Sequence, residues 1–357
     1  MQVGKQSLKL EKPVYIFETS SVVGSKEGEG PLKDYFDCIC QDPMMTEKSW
    51  ELAESQLQKI AIDKLLGKAS NKRFECPGKK GDVSRNIIEG IKPEEIRYIF
   101  GGDLLGQLIA TTFGVMDFEK PFFGMYSACA TIGESLSLGA MTVSAGYADS
   151  VIALASSHFA SAEKNFRTPL EYGNQRHFSA TWTVTGSGAF LLNSKYGFAK
   201  ITAITTGKIV DYGVKDAQNM GACMAPAAAD VIATHFQEFN TTPECYDKII
   251  TGDLGVVGQK ILIDLLKDKG YDISTVHMDC GIEIFDAKSQ DTHSGGSGCG
   301  CSSVVLAGYL MEQLKNKKYK KILFIPTGAL MSPVTVNEKQ SIPGIAHLIQ
   351  IESNGEV

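Results

Sequence analysis

Gly124-Met125-Tyr126-Ser127-Ala128-Cys129-Ala130-Thr131-Ile132-Gly133-Glu134-Ser135 is the stretch whose reading decides how this chain folds. The apolar run Pro121 to Tyr126 reads as the end of a buried strand. Small residues follow at once, with one thiol among them, and Ile132, Leu136 and Ala140 then recur at helical spacing. A helix is therefore expected to begin near Cys129. A cysteine on such a strand-to-helix turn meets outward-pointing backbone N–H groups and the positive end of the helix dipole. Both favour a thiolate and an anionic ligand beside it. Ser127, Ala128 and Ala130 leave room for a substrate or ligand to approach. The plainer alternative is a structural cysteine packed under the helix, the commoner fate of a buried thiol.

Working outward, 357 residues suffice for one large domain or two. A formal net charge of −6 argues against a nucleic-acid binder, which would carry a basic excess. Met1 to Lys12 is polar and the next apolar stretch is short, so no secretory leader is expected. The longest apolar region, Leu136 to Ala155, is interrupted by Gly139, Gly146 and Asp149 and reads as helix, turn and strand, not as a membrane span. Nine cysteines, an odd number, show no paired zinc-ligand spacing, which points to free thiols in a reducing compartment and to no metal site.

Along the chain, Pro13 to Ser20 reads as a strand, with a Gly-rich turn from Gly24 to Gly30. Residues 46–66 read as a helix with Thr46 as its cap, and residues 68–89 as a surface loop or insertion. From Ile96 onward short apolar strands alternate with helical segments: Arg97–Gly101, a helix from Leu104, Phe122–Tyr126, a helix from Ala130, then Ser150–Ser156. That β-α-β-α-β order implies a largely parallel sheet covered by helices. His158 to Ser179 reads as a polar, aromatic-rich loop.

The second half repeats the first. Pro93 to Leu104 and Pro243 to Leu254 are identical at six of twelve positions. Ser127-Ala128-Cys129-Ala130-Thr131 then lines up with Ser297-Gly298-Cys299-Gly300-Cys301. Two matches in one order argue for duplication. The halves are expected at 1–195 and 196–357, packed about a pseudo-twofold axis with the Cys129 and Cys299 turns on equivalent elements.

Several further motifs accompany these turns: Ser156-Ser157-His158, Tyr172-Gly173, Thr183-Val184-Thr185-Gly186-Ser187-Gly188-Ala189, Met220-Gly221-Ala222-Cys223-Met224-Ala225-Pro226, Gly295-Gly296-Ser297-Gly298-Cys299-Gly300-Cys301 and Thr327-Gly328-Ala329-Leu330. In this order the set resembles the thiolase superfamily and, within it, a family of sporulation proteins. The resemblance implies a thiolase-like five-layer α-β-α-β-α fold from two duplicated halves with mixed, mostly parallel sheets, and a homodimer. It also implies a binding role: uptake of dipicolinic acid, pyridine-2,6-dicarboxylate, into the developing spore. The implied partners are membrane proteins of the same operon, reached by peripheral association with the spore inner membrane.

A working thiolase-type enzyme attacks an acyl thioester with a cysteine, while a histidine and a second His, Asn or Cys move protons and polarise the carbonyl. Cys129 takes the nucleophile's position. Thiolases carry a His-Pro-x-Gly-x-Ser-Gly loop; here His293 is one residue short, and with Ser297-Gly298 aligned Thr292 falls on the histidine position. Thr327–Leu330 replaces the loop that can hold a second cysteine. The expectation is therefore a binding protein, with an acyltransferase using Cys129 or a non-binding scaffold for channel proteins as alternatives. Cys129, Ser127, Asp103, His158, Arg167 and Met220 are the candidate ligand contacts, with Lys164 and Arg176 on the same loop as His158 and Arg167. Against each stands a plainer role: an N-cap for Asp103, a backbone-bonded capping residue for His158, a solvated side chain for Arg167, ordinary core for Met220. No cofactor is implied, and whether calcium accompanies the ligand is left open. The Lys315–Lys321 run reads first as a solvated helix end and second as a contact for anionic lipid.

Overall fold

In the computed structural model the described residues are 1–76, 86–166 and 176–354. Eleven strands among the described residues form one continuous mixed sheet: ten lie along its main path, five from each half, and Cys38–Cys40 pairs parallel with the end of the first strand off that path. The first half supplies β1 (Ser7–Gly24), β2 (Tyr98–Gly102), β3 (Phe122–Gly124), β4 (Ser150–Ser157) and β5 (Gly186–Asn193). The second supplies β6 (Ala199–Thr205), β7 (Lys248–Thr251), β8 (His277–Asp279), β9 (Lys321–Ile325) and β10 (Leu348–Ser353). The order is β3-β2-β4-β5-β1 in the first half and β8-β7-β9-β10-β6 in the second, so each half follows the same path. In both, the second strand lies parallel to its two neighbours and the last two strands run antiparallel. Antiparallel pairing of β1 with β6 joins the halves.

Strand periodicity sets the layers. Along β4, Val151, Ala153 and Ala155 face the central core, while Ile152 and Leu154 face the outer core beneath α1 (Trp50–Ser70). Along β9, Ile322 and Phe324 face the centre and Leu323 and Ile325 face outward. The central layer holds α3 (Thr131–Ser144) and the helix that opens at Cys299. The outer layers hold α1 with α2 (Ile109–Val115) on one side, and α5 (Met220–Phe239) with α6 (Gly255–Asp268) on the other. The Cys299 helix, α7 (Cys299–Val305), runs on through a π turn, Leu306–Leu310, into Met311–Lys315. Fully buried Leu57, Ile62 and Leu65 on α1 each contribute roughly 1.5–3 kcal/mol. This is the five-layer α-β-α-β-α architecture.

Local boundaries differ from the sequence reading where side chains, not periodicity, decide them. Helix α1 starts four residues later than expected: Ser49, not Thr46, is its cap, its Oγ accepting from Leu52 N at 3.3 Å. Residues 68–89 are not all loop, because α1 continues to Ser70 and Arg73–Cys76 pairs antiparallel with Asn86–Glu89. The helix expected from Leu104 begins only at Ile109, after a turn with positive φ at Gln107 and Leu108. The segment after β4 is not all loop either. Phe159–Phe166 is a helix, α4, and Phe159 stacks on Trp182 at 4.1 Å.

Candidate functional site

Strand β3 ends at Gly124, Met125 N still donates to Gly101 O, and the chain then turns sharply. Ala128 adopts φ 48°, a left-handed conformation costing a non-glycine residue about 1–2 kcal/mol. Thr131 holds the turn, accepting from Ser127 N at 3.2 Å and donating to Ala128 O at 2.6 Å. Cys129 sits in the 3-10 turn Ala128–Ala130 that leads into α3.

The equivalent turn of the second half comes up against it. Gly298 has φ 99°, and a Cβ there would meet Ser157 Oγ at 2.7 Å, so only glycine fits. Cys299 Sγ donates to Ala128 O at 3.0 Å, and Cys129 Sγ lies 3.9 Å from Ser297 Oγ. Ser297 Oγ donates in turn to Asp253 Oδ2 at 2.7 Å. Asp253 follows β7 as Asp103 follows β2, and it also accepts from Gly298 N at 3.1 Å and Thr327 Oγ1 at 2.8 Å. The thiol, a hydroxyl and a buried carboxylate thus form one chain.

Electrostatics run against the expected thiolate. Burial, then the charge of Asp253, then Cys299 push the Cys129 thiol well above its ordinary range. Those effects outweigh the helix N-terminus. Burial also raises the Asp253 carboxyl, against the pull of its hydrogen bonds.

A cavity of about 650 Å³ opens beside Cys129. Its wall is drawn from the Leu104–Gly106 turn, the Cys129 turn, Ala180–Thr183, Ala217–Met220, Ser297–Gly298 and Ala329–Asn337. Thr181, Thr183, Gln218 and Ser297 supply polar groups, and no described wall residue is a lysine, arginine or histidine.

Of the sequence candidates, Cys129 and Met220 are on this wall. Ser127 is buried just behind it, its backbone tied into the turn. Asp103 is a correction: fully buried, it accepts from Leu105 N at 2.7 Å and from Thr111 N at 2.8 Å, so it ties the turn before α2. His158 is another: its Nε2 bonds Pro43 O at 2.8 Å, its Nδ1 accepts from Ala160 N, and its ring packs on Trp50. Burial lowers its basicity, so the imidazole is neutral and structural. Arg167 lies outside the described residues. Lys164 pairs with Glu51, and Arg176 with Asp291. Asn219 caps α5 and Met224 is core. His293 bonds His177 O at 2.8 Å, and neither it nor buried Thr292 reaches the wall.

The sequence reading missed Asp253 and Gln218. A signal for Asp253 was available: it ends the repeated strand in the same half as the Ser297 turn, so duplication brings the two together.

The fold and the paired cysteine turns define a thiolase-like α/β protein. Two solved structures share the architecture. 3-Oxoacyl-[acyl-carrier-protein] synthase III from Aquifex aeolicus aligns with TM-score 0.50 at 13% identity, over 98% of this chain and 100% of that one. The acyltransferase ChlB3 aligns with TM-score 0.54 at 12% identity, over 96% and 98%. These likenesses show the fold. The family is shown by sequence: residues 4–76 and 83–352 match the family described as stage V sporulation protein AD (SpoVAD). The stage V sporulation protein AD of Bacillus subtilis (strain 168) is 38% identical over 352 residues, 99% of this chain and 98% of that protein. The chain belongs to the stage V sporulation protein AD family. No helix among the described residues is long and apolar enough to cross a membrane.

Proposed function

We propose that this sporulation protein binds dipicolinic acid in the cavity beside Cys129, supports its uptake into the developing spore, and is catalytically degenerate. The observation that carries the reading is the state of Cys129. Its thiol faces a cavity large enough for a planar dicarboxylate, yet its neighbours hold it protonated. In a thiolase-type reaction a histidine must take the proton, and no described wall residue is one. The Gln218 amide and backbone N–H groups would receive the carboxylates. In this reading the protein works peripherally at the spore inner membrane with the membrane proteins of the SpoVA complex. A homodimer would form through the edge strand β3, where Phe123 is half exposed.

Calorimetric titration with dipicolinate, with and without calcium, tests this. Saturable binding is expected, weakened about tenfold or more by Gln218→Ala or Cys129→Trp and unchanged by His158→Ala, whose ring is bonded to Pro43 and is not on the wall. One observation favours a second reading, a slow acyltransferase: the Ser297–Asp253 chain could accept the thiol proton. In that case an acyl-coenzyme A would label Cys129 covalently and dipicolinate would show no heat of binding.

A further inference from the structure

Asp103 does not reach the cavity wall, but it governs a turn that does. Leu104 and Gly106 line the cavity, and just beyond them Gln107 and Leu108 hold left-handed backbone at φ 59° and 51°. Two successive non-glycine residues in that region persist only where surrounding bonds hold them. Asp103 clamps both ends of the turn: Oδ1 accepts from Leu105 N at 2.7 Å, and Oδ2 accepts from Thr111 N at 2.8 Å and Thr111 Oγ1 at 2.6 Å.

From Thr111 one buried chain leads to a second carboxylate. The Gln58 amide donates to Thr111 Oγ1 at 2.9 Å and to Ser156 Oγ at 2.6 Å. Ser156 Oγ donates to Glu54 Oε1 at 2.8 Å, and Ser161 Oγ to Glu54 Oε2 at 2.6 Å. The chain is symmetric: an amide at its centre, a hydroxyl on each side, a carboxylate at each end. Among the described residues no cation bonds either carboxylate. Burial raises both, and burial followed by the charge of Asp103 puts Glu54 at about 8. With one proton between them, the charge belongs on Asp103, which has three donors against two for Glu54.

We propose that Asp103 is a positioning residue for the cavity, and that Glu54, through the Ser156–Gln58–Thr111 chain, makes its hold on the Asp103–Thr111 turn proton-dependent. The turn is fixed while the pair keeps a proton and loosens when a second charge is forced into the same dry interior. The other groups facing the pair do not supply this switch. Cys299 on α7 and Tyr126 after β3 are both pushed up, chiefly by burial, and stay neutral. Glu51 on α1 is paired with Lys164 of α4, His158 is neutral, and Lys59 is paired with Asp117 at the surface.

The proposal takes the cavity beside Cys129 to be the ligand site, and amide hydrogen exchange tests it without needing the ligand. Exchange of segment 104–111, corrected for intrinsic pH dependence, is compared at pH 7 and pH 9 in the intact protein and in Glu54→Gln. Protection should fall about tenfold in the wild type and stay level in Glu54→Gln; Asp103→Asn should lose it at both values. Thr111→Val, which interrupts the chain, serves if Glu54→Gln does not fold. Equal wild-type protection at the two pH values overturns the proposal, as does an equal fall in Glu54→Gln. Dipicolinate affinity is read in parallel, since its carboxylates are ionised at both values. A wild-type loss absent from Glu54→Gln supports the coupling. No binding at either pH, with exchange protection falling as expected, supports the positioning role and counts against dipicolinate as the ligand.

Discussion

At the scale of single residues, the character of this protein turns on what stands beside Cys129. The same thiol next to an imidazolium would be a thiolate; next to the Asp253 carboxylate and under full burial it is a thiol. Removing that charge should therefore restore nucleophilicity. In Asp253→Asn, which preserves the shape of the group, alkylation of Cys129 by iodoacetamide at pH 8 should speed up by roughly tenfold for each unit the thiol falls. Peptide mapping by mass spectrometry reads the rate site by site, and an unchanged rate would show that burial alone sets the thiol. The sequence made Cys129 legible, because a small-residue turn between an apolar strand and a helical repeat has a direct physical reading. It misplaced His158 and Asp103, because a polar residue at a strand end serves the backbone or a ligand equally well until its neighbours are known. Pro43 and Trp50, which claim His158, lie over a hundred residues away in the chain.

At the scale of elements, helices α5 and α6 meet through glycine. A Cβ on Gly221 would stand 2.3 Å from Leu254 O and 3.0 Å from Gly258 N, and one on Gly258 would stand 2.8 Å from Gly221 Cα. The backbones themselves are in contact, so no side chain can move aside. Gly221→Ala should destabilise the protein by about 2 kcal/mol or more and lower the melting temperature by several degrees, although alanine is the better helix former. It should also shift Met220 on the cavity wall, so under the proposed function dipicolinate affinity should fall with stability. A variant as stable as the wild type would mean that the helices can separate freely. Glycine at such a crossing leaves no mark in hydrophobic periodicity, and the sequence reading passed over it. Helix α4 was missed for a related reason. Phe159, Ala162 and Phe166 recur at helical spacing, but eight residues give too short a pattern to read, and distant partners hold the helix: Phe159 stacks on the Trp182 ring and Glu163 accepts from Thr183 Oγ1 at 2.9 Å. The long strands and α3 were legible because burial on both sides, or on one stripe, writes a regular pattern into the chain.

At the scale of the whole molecule, the internal repeat was the most informative feature, since equal strand orders in the two halves follow from it directly. The halves nevertheless differ in how they hold protons. Glu27 and Glu54, in the first half, are raised by burial to about 7 and about 8. Their folded values exceed their unfolded ones, so the folded state binds more protons, and stability grows as pH falls from 8 toward 4.5. His235, His277 and His347, all in the second half, are lowered by burial to about 3, 4 and 4. There the unfolded state binds more protons below its ordinary value of 6.5, so stability present above 6.5 is lost as pH falls toward 4. Asp279, raised by burial to about 6, opposes that loss, and so do Glu27 and Glu54 over the same range, three carboxyls against three histidines. Between pH 6.5 and 4.5 the three carboxyls gain about what the three histidines lose, so stability is nearly level there and falls by a few kcal/mol as pH rises from 6.5 toward 8. Thermal melts between pH 4 and pH 9 should show a level stretch below about 6.5 and a fall above it, and Glu54→Gln should soften that fall and uncover the histidine loss below 6.5. Because the histidines sit on α5, on β8 and at the head of β10, acid should open the second half first, which hydrogen exchange at pH 5 resolves segment by segment. Stability that does not fall between pH 6.5 and 8, or first-half segments exchanging earlier in acid, would mean that these buried groups do not set the balance between the halves.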